Sequence, residues 1–175
     1  SQIECKDNAY YVTKGKYQGI YNLYGSVIVP TQYTSIYKEG GKYLVENDSL
    51  KGIVNAYGST IIPCRYNKIQ QEGNIYYVTA NGKKGIFNRY GSTIIPCQYD
   101  EIISLGHRYI VKRDKKFGVY NQYGSTILPC QFQKIECLNN GHYVTTRDKS
   151  QQVYNAYGAL LENRTNMKVV FSTED

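Results

Sequence analysis

Tryptophan is absent from this chain, methionine occurs once, histidine twice and proline four times in 175 residues. A single methionine and a hydrophobic share of only 41% argue against a leucine-rich helical core. No apolar run reaches the ~18 residues that a transmembrane helix needs, so membrane insertion is not expected. Cysteine occurs five times, an odd number without any Cys-x-x-Cys pair, which supplies neither a disulfide framework nor a zinc signature. Paired carboxylates are missing beyond Asp100-Glu101, and no Ser/His/Asp or Cys/His grouping stands out. Catalysis by acid–base or nucleophilic groups therefore has no visible starting point, and neither an enzyme nor a cofactor is expected.

What the chain has in excess is tyrosine, 20 residues, and positive charge, 21 Lys plus Arg against 14 acidic residues for a net +7. Glycine, at 16, is spaced regularly and reads as turn punctuation. The length fits one domain that buries about 70% of its unfolded surface without disulfides or metals. The positive balance favours anionic partners.

The organising stretch is Tyr-Gly-Ser-Thr-Ile-Ile-Pro-Cys. It occurs whole at Tyr57–Cys64 and Tyr90–Cys97, edited at Tyr24–Thr31 and Tyr123–Cys130, and worn at Tyr157. Gly19, Gly52, Gly85 and Gly118 are spaced by 33, and Asn22, Asn55, Asn88 and Asn121 follow three residues behind, with Asn155 after 34. Ile3, Ile36, Ile69, Ile102 and Ile135 keep the same beat, each followed nine residues later by Val12, Val45, Val78, Val111 and Val144. A fixed period of this size signifies a repeat architecture. Within a unit, Gly85–Asn88 is a short strand and Asn88-Arg89-Tyr90-Gly91 fits a type I turn. Ser92–Ile95 returns and should end at Pro96, which cannot donate to a ladder. Tyr99 and Ile102 open a third strand, and Tyr109–Val111 forms a fourth. Thr-Ile-Ile-Pro and Tyr-Leu-Val are apolar on both faces, as strands covered on both sides must be. Stacked blades or a solenoid satisfy that requirement.

The expected fold is thus all-β, five repeats of about 33 residues over 1–161, with 162–175 as a tail that supplies one more strand near Lys168–Phe171. The favoured arrangement is a closed five-bladed β-propeller in which the two chain ends complete one blade; the alternative is an open β-hairpin solenoid.

Gly85-Ile86-Phe87-Asn88-x-x-Gly91-x-x-Ile94-Ile95-Pro96-x-x-Tyr99-Asp100 resembles the WG β-repeat (KWG repeat) of bacterial proteins, whose pattern is W-G-[YF]-I-D-x-x-G-x-x-V-I-P-x-x-Y-D. The resemblance runs through nearly the whole chain. It departs at the tryptophan, where Gln18, Lys51, Lys84 and Phe117 stand, and at the aspartate, which is asparagine here. It implies a β-rich repeat domain with a binding role and no general catalytic residues.

Two sets of residues are candidate binding groups. Tyr24, Tyr57, Tyr90, Tyr123 and Tyr157 sit at hairpin tips, able to stack on sugars or bases. Their repetition inside one chain favours a packing role against the neighbouring unit instead. The loops between each valine and the next glycine carry Lys14, Lys16, Lys51, Lys83, Lys84, Lys112, Arg113, Lys115, Lys116, Arg147 and Lys149 against only Glu46, Asp48, Asp114 and Asp148. They form a basic rim centred on Lys112–Lys116, suited to phosphates or an acidic face, or else act as solvated edge guards. Cys64, Cys97 and Cys130 share one position and read as small buried residues after proline; Cys5 and Cys137 share another and could staple a closed ring. His107 and His142 fall at different positions and form no ligand set. The chain is expected to be a non-catalytic binding module, first for another protein, alternatively for a glycan in a lectin-like manner, and third for an anionic polymer on the basic rim.

Overall fold

The computed structural model describes residues 1–161 and 169–173, in which short strands are joined by turns and no helix occurs. The strands form five sheets, each built from consecutive elements. The first holds β1 (Gln2–Lys6), β2 (Ala9–Lys14), β3 (Tyr17–Asn22) and β4 (Val27–Tyr33); the second β5 (Ser35–Glu39), β6 (Lys42–Asn47), β7 (Leu50–Asn55) and β8 (Thr60–Tyr66). The third holds β9 (Lys68–Glu72), β10 (Ile75–Ala80), β11 (Lys83–Asn88) and β12 (Thr93–Tyr99). The fourth holds β13 (Glu101–Leu105), β14 (Arg108–Arg113), β15 (Lys116–Asn121) and β16 (Thr126–Phe132). The last holds β17 (Lys134–Leu138), β18 (Tyr143–Arg147), β19 (Ser150–Tyr154) and β20 (Leu160–Leu161), extended by β21 (Val169–Ser172) on the β17 side. The chain falls into two compact units, Ser1–Asn81 with Ile86–Thr93 and Gly82–Gly85 with Ile94–Asp175.

The four-stranded meander of each repeat is as expected, but its phase is not. Each sheet starts at the isoleucine strand and ends at the proline strand, so the first and last sheets are each complete from one chain end. The expected single blade shared by the two ends is replaced by two separate sheets. The strands are also longer than proline suggested. β12 runs through Pro96 to Tyr99, and β4 and β8 pass through Pro30 and Pro63 in the same way. The chain does this by bulging: β3 and β4 pair Gln18 with Tyr33 but Ile20 with Val29, leaving extra residues on β4 opposite Gly19. A bulge leaves residues outside the ladder, which is where a strand tolerates proline. The periodic glycine fits this crowding, because a Cβ on Gly52 would stand 2.7 Å from the Cys64 backbone.

One residue is inserted in the last sheet. Ile3, Ile36 and Ile102 pair with Val12, Val45 and Val111, but Ile135 pairs with Thr145 and not with Val144. The β17–β18 connection is a three-residue turn, with Gly141 N donating to Leu138 O at 3.0 Å and Leu138 N to His142 O at 2.9 Å. Gly141 takes a left-handed φ of 85°, as this hairpin class demands. The valine beat at Val144 is therefore a coincidence of spacing. Thr145 takes the core place and is 1% exposed.

The central strands are covered on both faces. Ile53 and Val54 are 4% and 2% exposed although adjacent, and Ile86 and Phe87 are 0% and 6% exposed. In the first unit Ile20, Val29, Tyr43, Val45 and Val54 form a continuous cluster. In the second, Val119, Leu128, Phe132, Ile135 and Tyr143 do the same, with Phe171 of β21 packed against them. The tail strand thus exists over its described part, while Lys168 lies outside the described residues. Thr173 fastens it: its N donates to Ile135 O at 2.9 Å, and its hydroxyl accepts from Ile135 N at 2.8 Å.

The signature turn is the most constrained local structure. In every unit the Asn carbonyl accepts from the Gly amide, as Asn88 O does from Gly91 N at 3.0 Å. The Asn side chain accepts twice more, Asn88 Oδ1 from Tyr90 N and from Ser92 N, both at 2.9 Å. The glycine carries φ of 81–93° across the five turns. From the second copy onward that glycine also lies against the preceding sheet: a Cβ on Gly91 would land on Ile61 O, on Gly124 on Ile94 O, and on Gly158 on Ile127 O. Gly25, the first copy, has nothing within 4 Å.

These facts separate two costs of replacing glycine. Gly25→Ala should lose only the ~1–2 kcal/mol of a left-handed non-glycine residue. Gly91→Ala bears that cost and a clash with backbone, and should unfold several degrees lower in a thermal melt. Equal melting temperatures for the two variants would contradict the close approach.

Candidate functional site

Each sheet carries one tyrosine turn and, at the opposite end of the same strand, the turn that joins its second and third strands, which is basic in every sheet but the second. β3 starts at the Gly15-Lys16 turn and ends at Asn22, where the tyrosine turn begins. A strand of this length separates the two ends by roughly 20 Å.

At the first end the five tyrosines reach into solvent. Tyr24 is 94% exposed, Tyr57 92%, Tyr90 77%, Tyr123 80% and Tyr157 90%. This overturns the packing role that their repetition suggested. The turn itself needs only the asparagine and the glycine, so the ring between them is left projecting. The backbone beneath is held by the asparagine's three hydrogen bonds, so each ring stands on a well-fixed base. Arg89 lies 5.2 Å from the Tyr90 ring centroid, adding a cation against one ring face. Other exposed apolar side chains lie in or beside these turns: Leu23, Val27 and Leu160.

At the second end the turns contain left-handed residues, among them Asp48 and Ser49, Asp114 and Lys115, and Asp148 and Lys149. A side chain of the link between sheets clasps each later turn. Asn67 Oδ1 accepts from Asn81 N at 2.9 Å, Asp100 Oδ2 from Asp114 N at 3.0 Å, and Gln133 Oε1 from Asp148 N at 2.7 Å. Part of the expected positive charge is spent locally. Lys83 pairs with Asp100 at 2.5 Å and Lys51 with Glu46 at 2.9 Å. The Lys83 hydrogen bond and the Asp114 amide hold the Asp100 carboxyl below its usual range, and Asp100 in turn raises Lys83. Lys112 lies 5.0 Å from the Phe117 ring centroid and Arg113 5.8 Å from that of Tyr99. Lys84, Lys115 and Lys116 are exposed. Lys112, Lys115, Lys116, Asp114, Phe117 and Gln133 line a cleft of about 600 Å³. A second cleft of about 590 Å³ lies beside Gln133, Lys134, Thr146, Asp148 and Lys149. Lys112, Lys115 and Lys116 thus share one cleft with Asp114, while Lys83 is engaged by Asp100. The clasping role of the link residues Asp100 and Gln133 does not stand out in the sequence. The one signal for it is their common place, 33 residues apart, just after the strand-ending aromatic.

The cysteines do not form a functional set. Cys5 and Cys137 are not joined by a disulfide, so they make no staple. Cys64, Cys97 and Cys130 are half-buried, and each donates to a carbonyl on the neighbouring strand, Leu50 O, Lys83 O and Lys116 O, at 3.1 Å. Among the described residues no three of His, Cys, Asp and Glu come together to hold a metal. His107 Nδ1 meets Gln122 Oε1 at 2.8 Å, far in sequence from His142. Among the described residues no helix is long and apolar enough to cross a membrane.

Residues 85–116 and 117–147 each match the family described as WG containing repeat, so the chain carries WG repeats in these two units. At the tryptophan position the fourth unit keeps a buried aromatic, Phe117, 3% exposed. Elsewhere the place is polar: Gln18 Oε1 accepts from Ile36 N at 3.2 Å, and Lys51 pairs with Glu46. No curated protein matches the chain. Solved structures similar to it include Hsv2 of Kluyveromyces lactis, at 12% identity and a TM-score of 0.32, over 87% of this chain and 59% of that one. The WD40 β-propeller domain of Doa1 aligns at 11% identity and 0.30, over 91% of this chain and 65% of that one. The N-terminal domain of Nup159 aligns at 8% and 0.34, over 97% and 60%. The chain thus spans less than two thirds of the length of these structures.

The thiols give a direct check of the geometry. The thiolate is the form that alkylates. Burial pushes Cys137 up to about 11, and burial also raises Cys64 and Cys130. Iodoacetamide at pH 8 should therefore label folded protein first at exposed Cys5 and last at Cys137, while unfolded protein takes five labels. Rapid labelling of Cys137 in the folded state would contradict its burial.

Proposed function

We propose that these WG repeats form a non-catalytic module that binds another protein through its tyrosine turns. The observation that carries this reading is the 77–94% exposure of five equivalent tyrosines, each on a turn fixed by side-chain and main-chain hydrogen bonds. Tyrosine offers a large amphipathic surface with little side-chain entropy to lose, which is why it is enriched in protein interfaces. Repeating the same projecting side chain suits a broad contact in which each turn contributes a part. Glycan stacking on the same rings is the alternative use of that surface.

Removing the rings should cost the fold little, because they bury almost nothing. Replacing Tyr57, Tyr90 and Tyr123 by serine together should leave the thermal midpoint within a few degrees, since exposed substitutions usually stay within ±0.5 kcal/mol each. Capture of a protein partner from cells of the source should be lost by at least tenfold. Unchanged capture would remove the tyrosine surface from consideration. A melting-temperature rise with a neutral saccharide, independent of salt and absent in the triple variant, would move the reading to a glycan.

The basic turns support a second reading, an anionic polymer, and the specific observation is the cleft framed by Lys112, Lys115 and Lys116. Binding there would fall steeply with salt. Asp114 and Asp148 at the same turns weigh against it. We also keep the closed five-bladed ring as our reading of how the sheets are arranged, supported by five sheets of like construction in one chain. A radius of gyration near the compact value of about 16 Å would agree with it, and an elongated scattering profile would favour the solenoid.

A further inference from the structure

The last sheet differs from the others at one edge. Among the described residues β1, β5, β9 and β13 are each the terminal strand of their sheet, whereas β17 is covered by β21. The pairing is antiparallel and sets Cys137 opposite Phe171 and Glu136 opposite Ser172. Ile135 presents both its N and its O to Thr173, and Phe171 reaches into the cluster that includes Cys137 and Tyr143. The isoleucine-strand edge of this repeat is thus able to accept an extended segment, and the side chains that decide the fit are known.

The four uncovered edges are not equivalent. The place of Cys137 is taken by Cys5, Lys38, Gln71 and Ser104 in the earlier sheets. Lys38 is engaged with Asp7 at 3.3 Å, and Gln71 with Lys42 and with Gly73 O. Both are long side chains already tied to neighbours, where β17 sets the smaller Cys137 opposite Phe171. β1 has a small residue there but is flanked by Glu4 and Lys6, charges of the kind that blunt an edge. β13 reads Glu101-Ile102-Ile103-Ser104-Leu105, without a lysine and with an exposed serine at the critical place. Ile102 stands where Ile135 does, 33 residues earlier, and pairs inward with β14 in the corresponding register. The same alternation turns the main-chain groups of Ile102 and Ser104 away from the sheet.

We infer that the β13 edge is a second binding site, one that takes an extended peptide segment of another protein by antiparallel strand addition. The ligand is of the tail's own chemistry, an aromatic residue seated over Ser104 and a hydroxyl residue two positions later on Ile102. Main-chain bonds supply affinity in this mode and alternate side chains supply selectivity. A partner's segment is the occupant because this chain's own tail is held on β17 by buried Thr173, 3% exposed. The site is separate from the tyrosine turns and stands or falls without them.

The probe is a fluorescein-labelled peptide Val-Val-Phe-Ser-Thr, copied from residues 169–173 and titrated into the intact chain. Anisotropy should show saturable binding, and hydrogen exchange should slow at the Ile102 and Ser104 amides. Ser104→Pro removes an outward N–H that no ladder bond uses, and should weaken binding at least tenfold. Ser104→Lys, which keeps the backbone intact, should do the same at an unchanged melting temperature. The triple tyrosine variant should bind the peptide normally. Absence of binding, protection confined to β17 through exchange with the tail, or binding indifferent to both Ser104 variants would overturn the inference. So would a dimer that forms without peptide and disappears in Ser104→Lys, since the occupant would then be a second copy.

Discussion

Everything regular in this protein depends on the turn from asparagine to glycine. The asparagine supplies three acceptor contacts within five residues, and the glycine supplies a left-handed conformation together with the absence of a Cβ. The second property matters as much as the first, because from the second copy onward the glycine lies on the carbonyl of an isoleucine one sheet earlier. One residue therefore closes a hairpin and fixes the distance to its neighbour. Local turn chemistry and sheet-to-sheet packing are decided at the same atom, which explains why the motif recurs with so little variation.

Much of this is legible in the sequence. The period, the turn and the all-β character follow from spacing and from residues whose conformational preferences are narrow. The phase of the sheets is not legible, because a periodic chain can be cut anywhere. The link at Tyr33-Thr34-Ser35 is as short as a hairpin turn, yet it joins two sheets. Proline misleads for a related reason: it forbids a ladder bond but not a bulge, and the bulge is built opposite the glycine. Val144 keeps the beat while the register slips beneath it, since the extra residue enters the turn at 139–141 and Thr145 replaces valine in the core.

The candidate site is half visible. The lysines of the basic turns emerge from counting charge, but counting does not reveal that Asp100 takes up Lys83. The tyrosines emerge from repetition, and repetition alone points to packing. Invariance within a chain records that every copy does the same thing, not that the thing is internal. What separates the two is whether the neighbouring atoms need the ring, and the turn is already complete without it. The open edge of β13 is invisible because its meaning comes from comparison with β17, whose covering strand lies far along the chain.

The three-residue turn between β17 and β18 shows how such an array accommodates change of length. The added residue is absorbed before the next strand begins, Tyr143 keeps the buried place that Tyr109 has in the preceding sheet, and every later landmark is displaced by one. At the other end of the strands a clasp from the inter-sheet link holds the turns of the last three sheets to a fixed size. Length is therefore free at one end of a unit and fixed at the other. Variation between copies, and any graft introduced by design, belongs at the end where residues 139–141 already show that the sheet does not count them.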